Sequence, residues 1–81
     1  MRKQKKTAKP TFGICIDNTG YPVSLERMKL YEIVRDAAAE AEGMRRVVDE
    51  TGESYLYRAD RFVVVEVPAE VELAYGQAAV A

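Results

Sequence analysis

Short apolar runs separated by turn residues divide the first part of the chain into strands. Residues 11–16 (TFGICI) are rich in strand-forming side chains, and Gly13 within them is typical of a bulge. The segment 17–22 (DNTGYP) is dense in turn residues and ends this run. Two further β-type runs, residues 44–50 and 54–58, are joined by a few residues that include a glycine, which predicts a hairpin.

The strongest strand pattern lies closer to the end of the chain. Residues 62–68 (FVVVEVP) contain three consecutive valines, which predicts that both faces of this strand are at least partly covered. The preceding residues 59–61 are too few for an α-helix and suit a single 3₁₀ turn. Residues 69–81 show weak alternation of apolar and polar side chains, and we predict that they form a C-terminal tail or an edge strand.

Residues 24–43 support two interpretations. Apolar residues recur every three positions, the alanine and glutamate content favours a helix, and Gly43 would cap its end. The letters KLYEIV within this segment alternate instead, as in a strand. We predict a strand near 29–35 and a short helix near 36–42, with one long helix over 24–42 as the alternative.

The composition restricts the chemistry that the chain can carry. With 81 residues and 48% hydrophobic content, it fits one small domain, on which a deep catalytic cleft is difficult to build. It has no histidine and one cysteine, which excludes an internal disulfide, the usual zinc sites and histidine-activated nucleophiles within one chain. We interpret Cys15, which lies in an apolar run, as a buried, inert thiol. We predict no catalytic residue, metal or cofactor.

Two further features of the sequence indicate where the protein is located. No apolar run approaches the roughly 18 residues of a membrane span, and no hydrophobic segment follows the charged residues at the N-terminus. A single cysteine suits a reducing compartment. We therefore expect a cytoplasmic protein that makes no membrane contact.

The net charge of −1 conceals an asymmetric distribution. Five of the 12 basic groups lie in residues 1–9, so seven remain to balance all 13 acidic groups, which leaves the rest of the chain at −6. We predict a flexible basic arm that could contact nucleic-acid phosphates, with Arg45 and Arg46 as further cations; the alternative is a solubilising tail. The arm residues in this hypothesis are Arg2, Lys3, Lys5, Lys6 and Lys9.

An acidic segment, Asp49-Glu50-Thr51-Gly52-Glu53, lies between the two predicted hairpin strands. Three carboxylates could bind a divalent cation or take part in acid–base chemistry. Their spacing does not follow an EF-hand loop, and no nucleophile or cofactor motif lies nearby. Aspartate and glycine are also favoured in turns for backbone reasons, so we interpret the segment as a hairpin turn with solvated carboxylates.

Two longer stretches, CIDNTGYPVSLERMKLYEIVRD and GMRRVVDETGESYLYRADRF, resemble a group of small uncharacterised bacterial and phage proteins. The resemblance covers about residues 14–65, and it implies no particular activity. The matching positions are Lys29, Tyr31, Arg46, Val47, Asp49, Glu50, Gly52, Glu53, Tyr55, Leu56, Tyr57 and Phe62.

The order of elements also resembles a Src-homology-3-like barrel, in which a hairpin is followed by a 3₁₀ turn and a last short strand. LYRADRFVVV fits this ending, although Arg58 occupies the position where such barrels usually carry proline. The resemblance implies a mainly β fold: a small barrel of about five strands with one short helix. It is our reason for preferring a strand at 29–35. The implied organisation is an arm (1–10), a barrel domain (11–68) and a tail (69–81).

Tyrosines are the candidate contact residues of such a barrel. Tyr55 and Tyr57 alternate and therefore share one sheet face, Tyr31 is expected on a neighbouring strand, and Tyr21 lies in the loop beside it. Aromatic faces of these barrels bind peptides. The alternative is that the rings pack in the core with their hydroxyls at the surface.

These observations predict a class of protein and leave its particular activity open. We predict a non-enzymatic binding module that contacts a protein partner through Tyr21, Tyr31, Tyr55 and Tyr57, as a monomer or a weak dimer. The alternative function is nucleic-acid association through the basic arm.

Overall fold

Five strands and two helices make up the described part of the chain. The structure is a computed structural model that describes residues 11–80, and side chains are described for residues 11–75. The elements are β1 (Thr11–Cys15), β2 (Leu30–Val34), α1 (Ala37–Ala41), β3 (Met44–Val48), β4 (Ser54–Arg58), a 3₁₀ turn (Ala59–Arg61), β5 (Phe62–Val65) and α2 (Ala69–Val80). The predicted mainly β fold is confirmed, and so are the short helix and the 3₁₀ turn.

All strands belong to one antiparallel sheet with the order β4-β3-β2-β1-β5. The chain therefore builds the sheet outwards from β1, and β4 and β5 are its two edges. The central strand is β2, and Phe12 of β1 lies opposite Glu32 of β2 and Val65 of β5. The strand at Leu30–Val34 excludes the alternative of one long helix over 24–42.

Local features explain why the ambiguous segment divides into a strand and a short helix. Asp36 caps α1, because its Oδ1 accepts a hydrogen bond from the backbone N–H of Ala39 at 3.0 Å. Asp36 Oδ2 also accepts from Nε of Arg46 on β3 at 2.8 Å, which ties the start of α1 to the sheet. The helix stops before Gly43, whose φ of +77° suits glycine. The tertiary contacts of β2 outweigh the helix propensity of its sequence.

The core lies on the side of the sheet that the long loop after β1 covers. Its fully buried residues include Leu25 from that loop, and Cys15 is completely enclosed. Cys15 is buried, as predicted, and this burial raises the pKa of its thiol. The core cluster consists of Cys15, Leu25, Tyr31, Ile33, Val47, Tyr57 and Phe62.

The prediction of a bulge at Gly13 is wrong, since this residue keeps continuous register with Tyr31 and Val64. A Cβ atom there would lie 2.7 Å from Cδ1 of Ile33, so glycine permits close packing. The valines of β5 are partly covered on both faces, as predicted, because Val63 and Val64 point to opposite faces and are 48% and 46% exposed.

The C-terminal residues form a helix, so the predicted edge strand is wrong. Pro68 starts α2, and its carbonyl accepts hydrogen bonds from the N–H groups of Val71 and Glu72. Proline at a helix start and the alanine and glutamate residues that follow favour this outcome. Neither helix of the described residues has the length and apolar character needed to cross a membrane.

Candidate functional site

The acidic segment forms the predicted hairpin turn between β3 and β4. The N–H of Asp49 donates to the carbonyl of Glu53 at 3.1 Å, and the N–H of Gly52 donates to the carbonyl of Asp49 at 2.9 Å. Gly52 has a φ of +86°, which side-chain-bearing residues rarely adopt. No group of three metal-ligating side chains is present among the described residues.

Asp49 is not solvated, contrary to the prediction for this turn. Only 6% of its surface is exposed. Its Oδ1 accepts from the N–H and hydroxyl of Thr51 at 2.9 and 2.6 Å, and its Oδ2 accepts from the Tyr57 hydroxyl at 2.6 Å. Burial alone would raise the pKa of this carboxyl, but the hydrogen bonds from Thr51 and Tyr57 hold it below its ordinary value. Asp49 is therefore a buried anion with satisfied oxygens.

Glu50 makes a second set of contacts on the other side of the turn. Its Oε2 accepts from Nζ of Lys29 at 2.7 Å and from the Tyr31 hydroxyl at 2.5 Å. The Tyr31 hydroxyl in turn accepts from the N–H of Glu26 at 2.7 Å. The Lys29 and Tyr31 hydrogen bonds lower the pKa of the Glu50 carboxyl, and burial raises the pKa of Tyr31.

Together these contacts fasten the loop between β1 and β2 onto the hairpin. The N–H of Glu50 donates to the carbonyl of Ser24 at 3.0 Å, and the Tyr57 hydroxyl lies 3.0 Å from Ser24 Oγ. Burial, followed by the hydrogen bond to Asp49, raises the pKa of Tyr57 to about 12, so its hydroxyl stays a donor at neutral pH. The loop is held at several points and is not free to move away from the hairpin as a unit.

The four predicted contact tyrosines separate into two groups. Tyr31 and Tyr57 are buried in the core, with 2% and 3% of their surface exposed, so their predicted place on a contact face is wrong. Their hydroxyls are needed for the hydrogen bonds described above. Tyr21 and Tyr55 are 41% and 48% exposed, and they remain available to a partner.

Tyr21 is held in place by its neighbours despite its exposure. Its ring meets that of Tyr57 edge to face, with centroids 4.9 Å apart. The guanidinium of Arg61 lies over the Tyr21 ring, 5.0 Å from its centroid. It also donates a hydrogen bond to the carbonyl of Asp17 at 3.0 Å. An exposed aromatic side chain is thus presented in a fixed orientation.

A surface groove separates the loop from β4. We call it the tyrosine groove; its volume is about 360 Å³. Its lining residues are Tyr21, Ser24, Asp49, Thr51, Tyr55, Leu56 and Tyr57. The sequence did not predict three of these residues, Ser24, Thr51 and Leu56. Leu56 was missed because the alternation of β4 places its side chain on the face opposite the tyrosines. The position of the loop over β4 carries no signal in the sequence.

The predicted cations do not form an exposed patch in the described part of the chain. Arg46 is paired with Asp36, and Nε of Arg45 is buried without a hydrogen-bond partner among the described residues. The five arm residues, Arg2, Lys3, Lys5, Lys6 and Lys9, lie outside the described residues.

The fold and the groove define a small mainly β protein with a preformed aromatic surface site. Comparison of the chain with protein-family models, with curated proteins and with solved structures found no match. The argument for function therefore depends on the geometry of the site.

Proposed function

We propose that the protein is a non-enzymatic binding module that contacts a protein partner through the tyrosine groove. The observation that carries this proposal is the pair Tyr21 and Tyr55, two exposed aromatic rings on either side of a groove. Tyrosine is enriched at the centres of protein interfaces, because it contributes a large apolar area and a hydroxyl with few rotatable bonds.

The rigidity of the groove supports a binding role. Ordering loops and side chains on association reduces affinity. Here Glu50 and Tyr57 already hold the loop that carries Tyr21, because the N–H of Glu50 donates to the carbonyl of Ser24 and the Tyr57 hydroxyl lies 3.0 Å from Ser24 Oγ. A partner would therefore meet a surface that is ordered before it binds.

The charge of the described residues favours a protein partner over a nucleic acid at this groove. Asp49 lines the groove, and Glu53 accepts a hydrogen bond from the Tyr55 hydroxyl at 3.1 Å. The chain after residue 9 carries a net charge of −6, which repels phosphates. A partner segment with lysine or arginine is complementary to this surface.

We also infer that the fold belongs to the Src-homology-3-like class suggested by the sequence. The order β4-β3-β2-β1-β5 and the 3₁₀ turn between β4 and β5 support this inference. The long loop between β1 and β2, which covers one side of the sheet, also supports it.

Site-specific photocrosslinking tests the proposal. A benzophenone amino acid placed at Tyr55 should crosslink the full chain to a partner protein in cells. The same amino acid at Val63 is the matched control, because both residues are 48% exposed and they lie on different strands. A protein crosslinked from Tyr55 and not from Val63 is the expected result. Equal crosslinking from both positions, or none from Tyr55, would contradict the proposed site.

A further inference from the structure

The hydrogen-bond pattern of the hairpin identifies which backbone groups of β4 face outwards. Bonded pairs in an antiparallel ladder alternate with non-bonded pairs. Asp49 is bonded to Glu53 at one end of the hairpin, and Ala59 is bonded to Gly43 at the other. Counting inwards from either end gives the same result: Tyr55 and Tyr57 are in the bonded pairs with β3.

The remaining β4 residues, Ser54, Leu56 and Arg58, therefore direct their N–H and C=O groups away from β3. The sheet places no strand beside them, since β4 is an edge. No backbone or side-chain hydrogen bond from a described residue reaches these groups. The tyrosine groove runs along this edge, because three consecutive residues of β4, Tyr55 to Tyr57, line it.

The opposite edge of the sheet offers fewer free groups. The N–H of Ile16 donates to the carbonyl of Arg61, so the same counting places Phe62 and Val64 outwards on β5. The N–H of Phe62 already donates to the carbonyl of Ala59. On β5, only Val64 then has both an outward-facing backbone N–H and an outward-facing C=O free to bond. On β4, three residues have both groups free.

We propose that the partner supplies an extended, basic segment that adds to the sheet as a sixth strand beside β4. This inference depends on the proposed function and specifies the kind of partner. Main-chain hydrogen bonds to Leu56 and its outward-facing neighbours supply affinity, and side chains of the segment contact Tyr21 and Tyr55 in the groove. Lysine or arginine residues of the segment approach Glu53 and the acidic turn.

The charge at each end of the edge is consistent with this occupant. Glu53 precedes β4 and is exposed, and among the described residues its carboxylate bonds only to the Tyr55 hydroxyl. Arg58 ends β4, but its charge is balanced by Asp60 at 2.7 Å. The edge therefore carries a net negative charge, which favours a basic strand over an acidic one.

A random dodecamer peptide library displayed on phage is a suitable probe. The full chain is immobilised, and the enriched peptides are synthesised and titrated against variants. Leu56→Pro removes the outward N–H, which an edge strand tolerates because that group makes no ladder bond. Leu56→Ala is the control, since it shortens the side chain and keeps the N–H.

The expected result is enrichment of basic peptides. These peptides should bind Leu56→Pro about tenfold more weakly than the unmodified protein, which is the effect of losing one to two hydrogen bonds. Their affinity for Leu56→Ala should change by less than about threefold. Peptides that bind Leu56→Pro normally but are lost on Tyr21→Ala/Tyr55→Ala would overturn strand addition and retain the groove. Absence of enrichment, or peptides unaffected by any of these variants, would overturn both proposals.

Amide hydrogen exchange of the unmodified chain tests the same inference if Leu56→Pro fails to fold. An enriched peptide should slow exchange at Leu56 and Arg58, whose N–H groups face outwards. Tyr55 and Tyr57 are the internal controls, because β3 already protects them. Unchanged exchange at Leu56 and Arg58 in the saturated complex would contradict strand addition.

Discussion

Replacing Asp49 by alanine tests whether the acidic turn is a structural anchor of the fold. The carboxylate is nearly enclosed and accepts three hydrogen bonds, two from Thr51 and one from Tyr57. Asp49→Ala removes both acceptor oxygens and with them all three hydrogen bonds. It also leaves the Tyr57 hydroxyl with Ser24 as its remaining partner in the core.

The size of the effect follows from the burial of each bond. The bond from Tyr57 to the carboxylate is buried, and a hydrogen bond to a charged group contributes about 1.5–3 kcal/mol. Thr51 is exposed, so its N–H and hydroxyl regain water, and each of those bonds contributes about 0.5 kcal/mol, the lower end of the usual range. The free energy of unfolding should therefore fall by about 2.5–4 kcal/mol, and Tm by about 10–30 °C for a domain of this size.

Thermal and urea denaturation followed by circular dichroism measure this change. Asp60→Ala is the matched control, because Asp60 pairs with Arg58 at 2.7 Å but both side chains are about two-thirds exposed. Surface pairs of this kind contribute about 0–1 kcal/mol. If Asp49→Ala and Asp60→Ala unfold at the same temperature, the assignment of Asp49 as an anchor is wrong.

Three further predictions follow from the same structure. Folding lowers the pKa of both Asp49 and Glu50, so the unfolded chain binds protons first as the pH falls; stability should be constant between about pH 5 and neutral pH and decrease below about pH 4, measured by urea denaturation. Gly13→Ala should cost no more than about 1 kcal/mol, the lower end of the range for overpacking, because the new methyl group meets Ile33 Cδ1, the end of a side chain that can shift; a loss of more than about 3 kcal/mol in urea denaturation would contradict this. If the alternative function holds, removal of residues 1–9 abolishes salt-sensitive binding to duplex DNA, whereas equal binding of the two forms excludes the arm as the contact.

The pattern of apolar residues was sufficient to predict four of the five strands, all except β2. Each strand contains strand-forming residues between turn signals, and the resemblance resolved the one segment where helix propensity was high. The C-terminal segment was predicted incorrectly because its weak alternation was given more weight than its alanine and glutamate content. Proline at position 68, directly before this segment, is the signal that favours a helix start.

The site was less predictable than the fold. Alternation places Tyr55 and Tyr57 on one face, but only packing of the loop over that face decides that Tyr57 is buried while Tyr55 is exposed. The burial of Asp49 has the same cause. It needs the Tyr57 hydroxyl eight positions further along the chain, and no local pattern in the sequence carries this contact.

Leu56 illustrates a different kind of omission. Its side chain points away from the tyrosines, so an argument from side-chain periodicity leaves it out of the site. Leu56 nevertheless lines the groove, at an edge of the sheet, and the position of that edge depends on pairing between distant segments. The backbone groups that a partner would use are therefore visible only in the structure.

The most direct test of a binding function at the tyrosine groove is the affinity of the crosslinked partner for three purified forms of the full chain. These are the unmodified protein, the double variant Tyr21→Ala/Tyr55→Ala and the control Val63→Ala, measured by isothermal titration calorimetry. Each truncated interface tyrosine should cost at least about 1 kcal/mol, so the double variant should bind more than tenfold more weakly, while Val63→Ala stays within about twofold. Equal affinity of the double variant and the unmodified protein would contradict the account.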